Sequence, residues 1–171
     1  MFEYILTDIY NMIPYTYKGI IVGFVAAVIW VILSRLATHK WDIYHGIIIM
    51  LLITYLVVIS EVTFFSREPG SRTISNLRLL GTWGTTLRQH SFVIENVIMF
   101  LPMGIFLPIL SKRLRNLNQI FFISLAISLG IELIQFMTER GFFQLDDVVM
   151  NVLGTIIGFI FWKIGNLFRK N

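Results

Sequence analysis

Glu132 and Gln135 stand three residues apart inside the apolar stretch SLGIELIQF, residues 128–136, and Asp147 and Asn151 stand four apart in the next apolar stretch. Spacings of three and four place each pair on one face of a helix. Carboxylates and amides so arranged can bind a polar ligand, serve as a general base, or clasp two helices together. A charge in hydrocarbon is costly, which makes an intramembrane ionisable group a functional candidate by default. Glu132 is therefore the leading candidate for ligand binding or catalysis, with an interhelical hydrogen bond as its structural alternative. Gln135 and Asn151 divide evenly between the two uses. Asp146 and Asp147 also suit the positive N-terminal end of a helix. Capping accounts better for Asp146, whereas Asp147, one turn before Asn151, shares the site face.

Depth gathers further residues. At a rise of about 1.5 Å per helical residue, Glu132 and Asn151 each lie about 9 Å from the nearer end of their segments, Asn96 about 7 Å and Glu61 about 6 Å. All four fall toward the same side, as one convergent polar layer would require. Arg67 and Arg140 lie just outside their segments on that side and are the natural partners of a buried carboxylate, which a guanidinium can engage bidentately. The expected site is thus Glu132, Gln135, Asn151, Asp147, Arg140, Asn96, Arg67 and Glu61. The stripe Ser124, Ser128, Glu132, Gln135 is expected to pack on the stripe Asp147, Asn151, Gly154, Gly158, whose glycines form a GxxxG pair.

The elements that must position these residues follow from composition. The 171 residues are 56% hydrophobic, 15% aromatic and only 14% charged, with a mean hydropathy of +0.76, which marks an integral membrane protein. Five apolar segments, at 17–35, 43–65, 91–110, 118–138 and 145–165, approach the roughly 20 residues a crossing needs. The expected fold is all-α, a polytopic bundle of about five transmembrane helices in a single domain over residues 1–171. Phe2, Ile5, Leu6, Ile9, Met12 and Ile13 recur at helical spacing, as in a short N-terminal helix lying in the interface. Glu3 and Asp8, with no early Lys or Arg, argue against a cleaved signal peptide. Pro102 and Pro108 are expected to break the regularity of the third segment. The loop from Ser66 to His90 is longer than a helix connection requires and is expected to pack on the helices or enter the interface.

Charge fixes orientation and excludes function classes. The formal net charge of +4 comes from basic residues set between apolar segments, a topological pattern and not a nucleic-acid footprint. Lys18, Arg67, Arg72, Arg78, Arg88 and Arg140 fall on one side. Arg35, Lys40, Lys112, Arg113, Arg115, Lys163, Arg169 and Lys170 cluster near helix ends on the other, which predicts an outside N-terminus and a cytoplasmic C-terminus. There is no cysteine, so disulfides, thiolate catalysis and Cys-based zinc sites are excluded. His39, His45 and His90 lack metal-ligand spacing, and no dinucleotide or Walker fingerprint occurs, so neither metal nor cofactor is expected.

The segments ENVIMFLPMGIFLPI (95–109) and IELIQFMTERGFFQLDDVVMNVLGTIIGF (131–159) resemble the VanZ-like family of small bacterial membrane proteins. The resemblance rests on Asn96, Phe100, Pro102, Gly104, Glu132, Gln135, Arg140, Asp147, Asn151, Gly154 and Gly158, with Arg67 and Asn76-Leu77 upstream, and covers residues 60–160. The family continues its loop as Asn-Leu-x-Pro-Phe where this chain reads NLRLLG. The resemblance implies a role at the bacterial cell surface, the founding member being associated with resistance to the glycopeptide teicoplanin. Three readings follow. The first is a non-enzymatic envelope protein whose outward polar pocket binds a membrane lipid, a lipid-linked wall precursor or a lipoglycopeptide. The second is an intramembrane hydrolase or transferase using Glu132 or Asp147 as base, with or without a divalent metal. The third is a structural scaffold.

Overall fold

Backbone amides in hydrocarbon have no water to bond, so each apolar run closes its own hydrogen bonds by coiling into a helix. The computed structural model describes residues 1–70, 75–76 and 84–168. Among them run α1 (Phe2–Asn11), α2 (Ile13–Thr38), α3 (Ile43–Ser60), α4 (Leu87–Leu110), α5 (Leu117–Met137) and α6 (Leu145–Phe168). The protein is all-α, and five helices are long and apolar enough to cross a membrane, α3 being prolonged to Phe65 by a π-helical turn. They match the five expected segments to within a few residues. α2 begins earlier than expected because Pro14 suits a first helical turn. α4 begins earlier because Thr86 and Gln89 form a reciprocal cap, each side chain bonding the other's backbone N–H at 3.1 and 3.3 Å. α1 is the helix expected at the N-terminus, with Phe2, Leu6 and Ile9 exposed along it.

The chain forms two compact units, residues 7–66 and residues 1–6 together with those from 67 onward. In the first, α2 packs on α3, where Thr54 Oγ1 donates to the Gly19 carbonyl at 3.2 Å. The intervening turn passes through a left-handed His39 (φ 57°). Asp42 then caps α3, accepting from the His45 backbone N–H at 3.3 Å and meeting His45 Nδ1 at 2.8 Å. The His45 hydrogen bond holds the Asp42 carboxyl below its ordinary range. Toward its far end α3 widens, the Ser66 N–H reaching back five residues to the Glu61 carbonyl at 2.9 Å.

In the second unit α6 packs on both α4 and α5. The contact with α4 is set by Gly154 and Gly158. A Cβ on either would collide with a carbonyl oxygen of α4, that of Val97 or Leu101 respectively. The glycines of the stripe therefore face α4, whereas Asn151 of the same stripe meets Ser128 of α5 as the spacing predicts. Hydrogen at Cα lets the two backbones meet, whereas α5 meets α6 through polar side chains. α4 is helical throughout, Pro102 and Pro108 included. The turn after α5 passes through Glu139 (φ 55°), and the Arg140 N–H closes on the Gln135 carbonyl at 2.9 Å. A two-residue strand, β2 (Phe143–Gln144), then pairs in parallel with β1 (Ser75–Asn76) of the long loop. Residues 71–74 and 77–83 of that loop, including Arg72, Leu77, Arg78, Leu79, Leu80, Trp83 and all of the NLRLLG departure but the Asn76 backbone, lie outside the described residues.

Replacing Gly158 by Leu should force α4 and α6 apart and cost about 1–3 kcal/mol. Gly165 on the same helix has no neighbour within 4 Å of an added Cβ, so Gly165→Leu should leave stability unchanged. Thermal unfolding of the two variants in detergent compares them.

Candidate functional site

The interior of the second unit is partly polar. On α5, Ser124, Ser128, Glu132 and Gln135 are all buried, while Leu133, Ile134, Phe136 and Met137 are exposed. Helical geometry makes this inevitable once the polar residues recur every three or four positions. The face they form looks onto α6, where Asp146, Asn151 and Thr155 are buried.

Glu132 is 2% exposed, and its Oε2 accepts the Gln144 backbone N–H at 3.0 Å. The segment between α5 and α6 thus folds back to bind the carboxylate. The Asp147 carboxylate acts against its charge and the Arg67 guanidinium acts in favour of it. Asp147, in the first turn of α6, feels the same guanidinium and the Asp146 carboxylate, and its side chain is hydrogen-bonded by Asn96 of α4. One guanidinium therefore serves carboxylates on two helices, and the α6 carboxylate is tied to the third.

Gly141 marks where Arg67 lies. A Cβ there would be 2.9 Å from Arg67 Nη1, 3.0 Å from Gln135 Cβ and 3.2 Å from Gln135 Oε1, so the guanidinium and the amide side chain both crowd the turn at Gly141. Arg140 does not supply the direct partner expected for Glu132 through any described bond. Its Nη1 donates to the Arg67 carbonyl at 3.2 Å, which fixes the backbone from which Arg67 reaches inward. About one turn deeper, Asn151 Nδ2 donates to Ser128 Oγ at 2.9 Å, and the Thr155 hydroxyl donates to the Asn151 carbonyl at 3.0 Å. Two buried acceptors, Asn151 Oδ1 and Gln144 Oε1, have no hydrogen-bond donor among the described residues. Buried acceptors are rarely left so in a finished core.

Of the expected residues, Glu132, Gln135, Asp147, Asn96, Arg67 and Arg140 are linked in one cluster, with Asn151 joining α5 to α6 below it. Glu61 belongs to the other unit, where it is buried and forms an ion pair with Lys18 of α2. Sequence alone missed Gln144, whose contribution is a backbone N–H and leaves no side-chain signature. It also missed Ser128 as the partner of Asn151, although Ser128 already lay on the polar stripe. Among the described residues no three His, Asp or Glu side chains converge as ligands for a metal ion.

The model of the VanZ/LLP1 family matches residues 20–168, nearly the whole chain. This chain belongs to the VanZ/LLP1 family. The match begins at residue 20, so it takes in most of α2, upstream of the 60–160 stretch whose motifs carry the resemblance. Among curated relatives, this VanZ/LLP1 member is similar to Protein VanZ of Enterococcus faecium, with 29% identity over 119 residues, or 68% of this chain and 73% of that protein. No solved structure matches.

Glu132→Ala should strand the Gln144 N–H and lower stability by about 1–3 kcal/mol. Glu132→Gln keeps a carbonyl oxygen for that N–H and should unfold close to the wild type. Thermal melts in detergent test the difference.

Proposed function

We propose that this VanZ/LLP1 family member lies in the bacterial cytoplasmic membrane with its N-terminus outside, and that the Glu132 cluster forms an outward recess for the polar head of a lipidic ligand. The ligand class is a lipid-linked cell-wall precursor or a lipoglycopeptide of the teicoplanin type, and the outcome is reduced susceptibility to such antibiotics. An acyl tail would lie between apolar helix faces while the head meets Glu132, Asp147, Asn96 and Arg67. One observation carries this reading: Gln144 Oε1, on the residue whose N–H binds Glu132, and Asn151 Oδ1, about one turn deeper, are buried acceptors that lack donors among the described residues. Sugar hydroxyls, amides or an ammonium group would supply those donors. Likeness to Protein VanZ directs the ligand toward glycopeptides.

A second reading rests on the pairing of Glu132 and Asp147 around one guanidinium. Either carboxylate could act as general base in an intramembrane hydrolase or transferase acting on a lipid-linked wall precursor. Incubating the purified protein with labelled precursor and finding product would favour it.

Expressing the wild type in a susceptible Gram-positive host should raise the inhibitory concentration of teicoplanin more than that of vancomycin. Glu132→Gln and Arg67→Gln should abolish the rise at equal membrane abundance, and a C-terminal green fluorescent protein should fluoresce, as a cytoplasmic end requires. Unchanged resistance in both variants would reduce the cluster to an interhelical clasp.

A further inference from the structure

The second unit separates its charges. No Asp or Glu occurs between Glu95 and Glu132, nor anywhere after Asp147. Its acidic residues therefore belong to the end where α4 and α6 begin and α5 finishes. The opposite end holds the short connection between α4 and α5, with Lys112, Arg113 and Arg115 in one 3-10 turn. These follow directly on the membrane-crossing run that ends at Leu110, so they lie within reach of the lipid head-group layer.

α6 brings more to that end. The Arg115 guanidinium carbon lies 5.5 Å from the centre of the Trp162 ring, which sets Trp162 and the adjacent Lys163 level with the connection. Arg115 is also anchored from behind, its Nε donating to the Pro108 carbonyl at 3.1 Å. This bond closes an otherwise open end of α4. With Nε used and one face on indole, the terminal nitrogens are held in a set direction, and a guanidinium so fixed suits the tetrahedral oxygens of a phosphate. Lys112, Arg113, Arg115 and Lys163 are all exposed. The first turn of α5, capped by Asn116, adds backbone N–H groups at the same level.

We propose that this end of the unit, built from Lys112, Arg113 and Arg115 with Trp162 and Lys163, binds the phosphate head of an anionic phospholipid. The inference is independent of the ligand assigned to the Glu132 cluster, which lies at the other end of the same helices. Basic side chains near helix ends also orient a membrane protein; orientation alone requires charge, whereas a lipid site requires selectivity. The fixed Arg115 and the stacked Trp162 set where the phosphate sits, Lys112, Arg113 and Lys163 supply the charge that favours an anionic lipid, and the indole belongs at the interface in any case.

Trp162 is a built-in reporter. In the full chain carrying Trp30→Phe, Trp41→Phe and Trp83→Phe, reconstituted in phosphatidylcholine bilayers, phosphatidylglycerol brominated near the top of its acyl chain should quench the remaining fluorescence more than equally brominated phosphatidylcholine. Neutralising Lys112, Arg113 and Lys163 together to Gln should lower the apparent preference by about five-fold per side chain removed. Inorganic phosphate in the buffer should not relieve the quenching, since the occupant is a lipid and not the free ion. Equal quenching by the two lipids in the otherwise native protein would overturn the proposal without recourse to any charge variant. Preference retained by the triple variant, or lost to inorganic phosphate, would overturn it as well.

Discussion

A polar group taken out of water and also out of reach of lipid head groups must be answered by another group of the protein. That requirement organises the second unit of this chain. Glu132 cannot sit on α5 alone; it needs the Gln144 N–H, and the N–H can reach it only if the chain after α5 turns back at once. Arg67 must arrive from before α4 to balance the carboxylates of α5 and α6, and Arg140 holds the Arg67 backbone. The polar residues thus dictate which helices neighbour each other. The apolar residues, turned outward, mainly decide that the whole lies in a bilayer.

Helix–helix contacts in this chain are of two kinds. α4 and α6 approach through glycines, so close that no side chain fits between them. α5 and α6 approach through side-chain hydrogen bonds, with Asn151 and Ser128 as the buried pair. In the first unit, α2 and α3 use both devices at once, small residues at Gly19 and Gly23 together with the Thr54 bond. Without a hydrophobic driving force between helices in lipid, these are the available means of association. A membrane helix with only aliphatic side chains would have no reason to choose one neighbour over another.

The helices are legible because runs of apolar residues of sufficient length admit one structure in a bilayer, and the starts of α2 and α4 differ where a proline or a cap extends the helix past its apolar run. The polar stripe of α5 was legible from spacing for the same geometric reason. Three things were not. Spacing says which residues share a face but not which helix each part of the face meets: Asn151 bonds Ser128 of α5, while Gly154 and Gly158 of the same stripe abut α4. Depth says how far along a helix a residue lies but not in which packed unit, and Glu61 at a matching depth proved to be paired with Lys18 in the other unit. Lastly, a backbone N–H such as that of Gln144 has no letter in the sequence, and only the folded turn discloses it.

The short bridge between β1 and β2 gives Gln144 two attachments. Asn76 of the long loop is its partner across the bridge, while its own N–H grips Glu132. One residue is therefore the joint between Asn76 of the long loop and a buried carboxylate. Parting Asn76 from Gln144 would loosen the hold on the N–H that Glu132 accepts.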